Sequence, residues 1–256
     1  NAPKLSSGMI PVKYENGKWL KADEENKDNS WYEYGTGAEN KRWANIVTVK
    51  EEVKDQYVNA SENTEIDMND VTTMFVWIPR YSYEIVGEKD IDISFLQGNT
   101  NKEVDGSETK KIVHPGFNMN GLELKGIWVA KFEASGINEN GEIVGNATSG
   151  NSDTKPTKGA YVTVKPSVAS WRHITMGESQ YQSMKINTDS EHYGLTNVNS
   201  HLMKNAEWGA VAYLCYSDYG EVPQINACGS YNSTGKYYYD LMTGAGPSKA
   251  GNENRY

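Results

Sequence analysis

Residues 197–220, NVNSHLMKNAEWGAVAYLCYSDYG, are the stretch whose reading decides the fold. Leu202, Ala206, Val211 and Leu214 recur at near-helical spacing, with Met203 and Trp208 widening the stripe. The spacing predicts an amphipathic helix over 200–216 with Trp208 buried in its middle and Gly220 as its stop. Upstream, Val168, Trp171, Ile174, Ser179 and Tyr181 predict a second helical segment over 167–184. Gly177 weakens its centre and divides it into two short pieces.

Working outward, the pattern changes from helix to strand. Residues 126–135, GIWVAKFEAS, read as a strand with both faces buried. Residues 74–85, MFVWIPRYSYEI, read as another, in which Pro79 marks an edge or a bulge because it cannot donate to a ladder. Between them, 87–120 is a polar, Gly- and Asn-rich excursion with one apolar island at 91–96. At the N-terminus, Asn16-Gly17 sits between two short apolar runs over 12–20, the strongest local signal for a hairpin. Trp19, Trp31 and Trp43 recur at equal spacing and suggest a small β-meander, and Trp31, Tyr32, Tyr34 and Trp43 form an aromatic cluster within it. Segment 136–160 is loop, and 221–256 is turn-rich with one plausible strand at 236–241.

Composition narrows the function classes. The net charge is −9 over 256 residues, with no basic stripe, so nucleic acid is not an expected partner. No apolar run approaches the roughly 20 residues of a membrane-spanning helix. The chain begins Asn1-Ala-Pro-Lys without a start methionine or signal peptide, which reads as an internal start: either a targeting or anchoring segment has been removed or the chain is a fragment. Tyr 17 against Phe 4 is a tyrosine excess that suits either a β-rich core or a binding surface. The tail at 229–239, GSYNSTGKYYY, has the Tyr/Ser/Gly composition of adaptable contact loops. Tyr231, Tyr237, Tyr238 and Tyr239 are the ligand-binding candidates.

Catalytic and metal motifs are not found. His114, His173, His192 and His201 accompany no nucleophile motif and show no ligand spacing. Residues 67–70 and 151–153 look like fragments of calcium loops but lack the central glycine and distal glutamate, so no cofactor is expected and calcium is the ion left open. Cys215 and Cys228 either close a disulfide across a turn-rich stretch or are two free thiols.

Several segments in order resemble the formylglycine-generating, sulfatase-modifying type of C-type-lectin fold. Val76-Trp77-Ile78-Pro79 is similar to its first strand. Trp128, Lys131, Phe132, Glu133 and Ser135 stand in places matching a later strand. Residues 166–172, PSVASWR, are similar to the lead-in of the first helix, and Ala206, Glu207, Trp208 and Ala212 to the second. Lys204 replaces the family's threonine cap, leaving Asn205 to cap. The segments that close the family's C-terminal third, including its catalytic cysteine pair, have no counterpart here. The chain is also similar to bacterial surface and prophage-encoded proteins with a pilin-like N-terminal helix, and to the variable proteins of diversity-generating retroelements. The resemblance implies an α+β chain: a β-rich aromatic module at 1–60, then a lectin-like domain of two helices and an irregular sheet at 70–256, incomplete at its C-terminus. Trp128, Trp171 and Trp208 would be scaffold residues. It implies extracellular display and binding of a surface glycan or protein, without catalysis. The alternatives are an enzyme of the formylglycine-generating class and a structural pilus or tail component.

Overall fold

A computed structural model describes residues 1–35, 41–88, 90–143, 160–168, 171 and 174–220. In chain order the strands are β1 (Ile10–Glu15), β2 (Lys18–Lys21), β3 (Glu33–Tyr34), β4 (Lys41–Arg42), β5 (Asn45–Val49), β6 (Val71–Pro79), β7 (Tyr81–Gly87), β8 (Asp90–Phe95), β9 (Ile112–Val113), β10 (Asn118–Met119), β11 (Leu122–Glu123), β12 (Gly126–Ala130), β13 (Ser135–Ile137) and β14 (Tyr161–Thr163). The helices are α1 (Glu51–Val58), α2 (Met176–Lys185), α3 (Ser190–Tyr193) and α4 (Asn205–Cys215). The chain is mixed α+β, with few helices and several antiparallel sheets.

The central sheet has the order β12-β6-β5-β1-β2 and is antiparallel throughout. Its first hairpin turns at Asn16-Gly17, both in left-handed conformation, which matches the twist of the strands it joins. The sheet is buried on both sides, which explains the nearly continuous apolar run of β6. On one side Ile10, Val47 and Met74 stand in register and pack with Val12, Val49 and Tyr57. On the other, Ile46 and Trp77 pack with Ala22, Trp31 and Ala44. Trp128 lies opposite Trp77 across the β6–β12 pair, edge to face at 5.2 Å. Gly126 is required beside them, because a Cβ there would overlap the Trp77 ring.

The sheet takes strands from both sides of residues 60–70, since β1, β2 and β5 share it with β6 and β12. Helix α1 lies against β5, and Lys21 Nζ donates to Tyr57 and Val58 carbonyls at its C-terminal end. The 87–120 excursion contains regular structure. Its apolar island is β8, which pairs with β7, and β9 adds to the other side of β7.

Both helices begin later than their periodicity predicts. Helix α2 starts after Thr175, whose hydroxyl accepts from the Glu178 amide while the Glu178 carboxylate accepts from the Thr175 amide. Gly177 therefore falls in the first turn, and the helix is not divided there. Trp171 precedes it, with its amide donating to Ala134 O at 2.8 Å. Helix α4 starts after Lys204 rather than being capped by Asn205: the Glu207 carboxylate reaches back to the Lys204 amide at 2.8 Å. Asn205 is its first helical residue.

Arg80, at the corner between β6 and β7, is 1% exposed and is the largest fully buried side chain described. Its guanidinium donates to Thr100 O at 3.0 Å, to Asn101 Oδ1 at 2.9 Å and to the Glu123 carboxylate. Arg80→Met is expected to cost about 3 kcal/mol in urea unfolding, because it leaves inward-facing acceptors without a donor. Arg80→Lys should recover less than half of that loss, since a single ammonium cannot serve acceptors spread around a planar fork.

Candidate functional site: an aromatic platform at the root of the tail

Residues 221–256 carry Tyr231, Tyr237, Tyr238, Tyr239 and Cys228, and they lie outside the described residues. The ligand-binding candidates and the Cys215–Cys228 pairing therefore have no described geometry. What the structure does describe is the surface from which that tail departs. Tyr219 packs edge to face on Phe95 at 4.7 Å. Phe95 lies 5.5 Å from Tyr34 and 6.5 Å from Trp43, and Tyr34 stacks on Tyr32 at 5.2 Å with 22° between the planes. Five rings thus converge from β3 and the segment just before it, the residue after β4, the end of β8 and the turn after α4.

Each of the five residues is half-buried, held by packing yet partly exposed to water. Tyr34 also buries its hydroxyl without a hydrogen-bond partner. Burial, with a smaller contribution from Tyr32, pushes the Tyr34 phenol well above its ordinary range, so it stays protonated. Burial raises the Tyr219 phenol too, aided by Asp218 and Asp92. Such an array offers flat apolar area at low entropic cost and, from Tyr32 and Tyr219, hydroxyls for orientation.

The candidate scaffold tryptophans divide. Trp128 is half-buried, with its Nε1 donating to Lys4 O at 2.8 Å, and Trp171 is half-buried. Trp208 is 65% exposed, which corrects the expectation that it anchors its helix. The buried face of α4 is Glu207, Ala210 and Leu214, and Trp208 projects away from that row. Leu202 and Met203 are likewise exposed.

Three of the four histidines are described, in three environments; His173 is outside the described residues. His114 is buried among Tyr81, Phe117 and Tyr213, and its Nδ1 accepts from the Gly116 amide at 3.1 Å. Burial pushes it down to about 4. His192 donates from Nδ1 to the nearly buried Asp189 at 2.8 Å and stacks on Tyr161 at 3.9 Å. It faces an open groove of about 390 Å³ lined also by Lys50, Glu51, Glu52 and Glu191. His201 Nε2 contacts both oxygens of the buried Glu207 carboxylate, at 2.9 and 3.1 Å. The side-chain hydrogen-bond partners of His192 and His201 are carboxylates, which orient an imidazole but are not nucleophiles activated by it. Cys215 is half-buried on α4, and burial pushes its thiol up, away from the thiolate a reactive cysteine needs. Among the described residues no group of three or more His, Cys, Asp and Glu could hold a metal ion. No helix among them is long and apolar enough to cross a membrane.

Two outcomes follow from these placements. Trp208→Ala should change stability by no more than about 0.5 kcal/mol, as for a surface position, whereas Leu214→Ala should cost about 2–5 kcal/mol in urea unfolding. His114 has a folded pKa below its ordinary 6.5, so the unfolded chain takes up that proton first as pH falls. Its contribution to stability is complete above about 6.5 and lost as pH falls toward 4, amounting to about 3 kcal/mol. Replacing His114 by Gln should flatten the pH dependence of the unfolding free energy across that window. No protein-family model, curated protein or solved structure matches the chain.

Proposed function

We propose that this chain is an extracellular binding or adhesion protein, without catalytic activity, that presents a contact surface on a lectin-like scaffold of the formylglycine-generating type. The observation that carries this reading is the convergence of Tyr32, Tyr34, Trp43, Phe95 and Tyr219 into one half-buried array where the tyrosine-rich tail begins. The order of elements supports the scaffold: the segments resembling that fold lie on β6–β7, on β12 and its continuation, before α2, and on α4. The ligand is a surface glycan or a surface protein, met by the platform together with Tyr231 and Tyr237, Tyr238 and Tyr239. Localisation at the cell surface or on a phage particle follows from the same reading.

The assembly reading, a pilus or tail component, draws on a different observation. Ile85, Val86 and Ile112 are each more than half exposed on the sheet formed by β7, β8 and β9. An apolar rim on a sheet with a short outer strand is a surface that chains can pair through.

Glycan and surface-protein arrays probed with the full chain test the binding reading. Saturable binding to one ligand class is expected, lost on combined Tyr237→Ala, Tyr238→Ala and Tyr239→Ala. Tyr219→Ala should weaken it about tenfold, the effect of losing one well-packed aromatic contact of roughly 1.4 kcal/mol. No saturable ligand, or binding indifferent to all four changes, overturns the reading. Concentration-dependent oligomers without any ligand favour assembly, and turnover of a cysteine-containing peptide favours the enzyme.

A further inference from the structure

Three Asn-Gly dipeptides lie in exposed turns: Asn16-Gly17 between β1 and β2, Asn120-Gly121 between β10 and β11, and Asn140-Gly141 after β13. In this dipeptide the following amide nitrogen can close onto the asparagine side chain, because glycine has no side chain to obstruct the approach. The nitrogen must be free to do so. The Gly121 amide donates to Asn118 Oδ1 at 2.9 Å, and the Gly141 amide to Asn138 O at 3.0 Å. The Gly17 amide has no hydrogen-bond partner among the described residues. Asn16 and Asn120 share a left-handed backbone, with φ of 52° and 53°. Their glycines also have open space around them. The pair therefore differs chiefly in whether the glycine amide is engaged.

We propose that Asn16 is a site of spontaneous deamidation, selected over Asn120 and Asn140 by the unengaged amide of Gly17. The Gly17 nitrogen gives its proton to solvent hydroxide and attacks Asn16 Cγ. A new N–C bond closes a five-membered succinimide, and the side-chain nitrogen takes a proton from water, regenerating hydroxide, as its bond to Cγ breaks and it departs as ammonia. One water molecule then adds to either ring carbonyl and opens the ring, leaving aspartate or isoaspartate at position 16. No redox partner is involved. The product places a new negative charge between Glu15 and Lys18, whose ammonium pairs with Glu65 at 2.5 Å. Isoaspartate also lengthens the backbone of the turn that sets the Tyr14–Trp19 register of β1 and β2.

The test is to hold the folded full chain at mildly alkaline pH and follow each Asn-Gly peptide by mass spectrometry with isoaspartate detection. Conversion at Asn16 should exceed that at Asn120 and Asn140 by about threefold to tenfold, the cost of first breaking one amide hydrogen bond. Asn118→Ala releases the Gly121 amide and should bring Asn120 up to the Asn16 rate. In strong urea the three rates should converge. Equal rates in the folded chain overturn the proposal. So does an Asn120 rate unmoved by Asn118→Ala, or an unchanged order of rates in urea.

Discussion

The corner at Arg80 is the constraint on which the rest of the structure depends. Pro79 ends the β6 ladder because it has no amide proton to give, and the chain turns there from the central sheet into β7. The Arg80 backbone is held at both ends, donating to Lys125 O and accepting from Leu96. Its guanidinium reaches acceptors in two segments distant in sequence, Thr100 and Asn101 on one side and Glu123 on the other. A buried cation is costly unless its donors are met, and a planar fork with several donors can meet them where an ammonium could not. Glu123 remains 40% exposed. Burial works to raise its carboxyl, but hydrogen bonds from Asn118 and Arg80 outweigh that and bring it below the ordinary carboxylate value.

From that corner the candidate site is assembled by packing. Tyr81 follows Arg80 directly, is fully buried, and donates its hydroxyl to Ala210 O at 2.6 Å. This one contact ties the first residue of β7 to the middle of α4. The Ile91 amide adds a second tie to Tyr216 O at 3.0 Å. Tyr216 leads into Tyr219, and Phe95 closes the hairpin that Tyr81 opens, with the two in register across β7 and β8. The platform is thus positioned by these buried groups.

Much of this was legible in the sequence, and the failures have physical causes. Asn16-Gly17 and the apolar runs of β6 and β12 mark their elements because turn chemistry and burial on both faces leave local traces. The two-residue strands β3, β4, β9, β10 and β11 leave none, since a period needs more residues to repeat. The pairing of β5 with β6 and of β6 with β12 joins segments that look separate in composition, and no local pattern announces a long-range ladder. Of the candidate site, Tyr32, Tyr34 and Trp43 were visible as an aromatic cluster; Phe95 and Tyr219 were not, because only tertiary packing brings them there.

Helix α4 shows why periodicity misplaced a face. An apolar stripe through Leu202, Met203 and Trp208 treats hydrophobicity as the measure of burial, and Glu207 as a surface residue. In the structure Glu207 is 8% exposed because both of its oxygens have donors: the Lys204 amide and the His201 ring. A carboxylate satisfied in this way no longer bears the desolvation penalty that would expel it. With Glu207 on the inward row beside Ala210 and Leu214, helical geometry carries Trp208 outward. The histidines also differ in partner: burial lowers the pKa of His114 among its aromatic neighbours, and the His192 and His201 rings each hydrogen-bond a carboxylate. Partner identity, which a one-dimensional pattern does not carry, decides which polar groups the interior accepts.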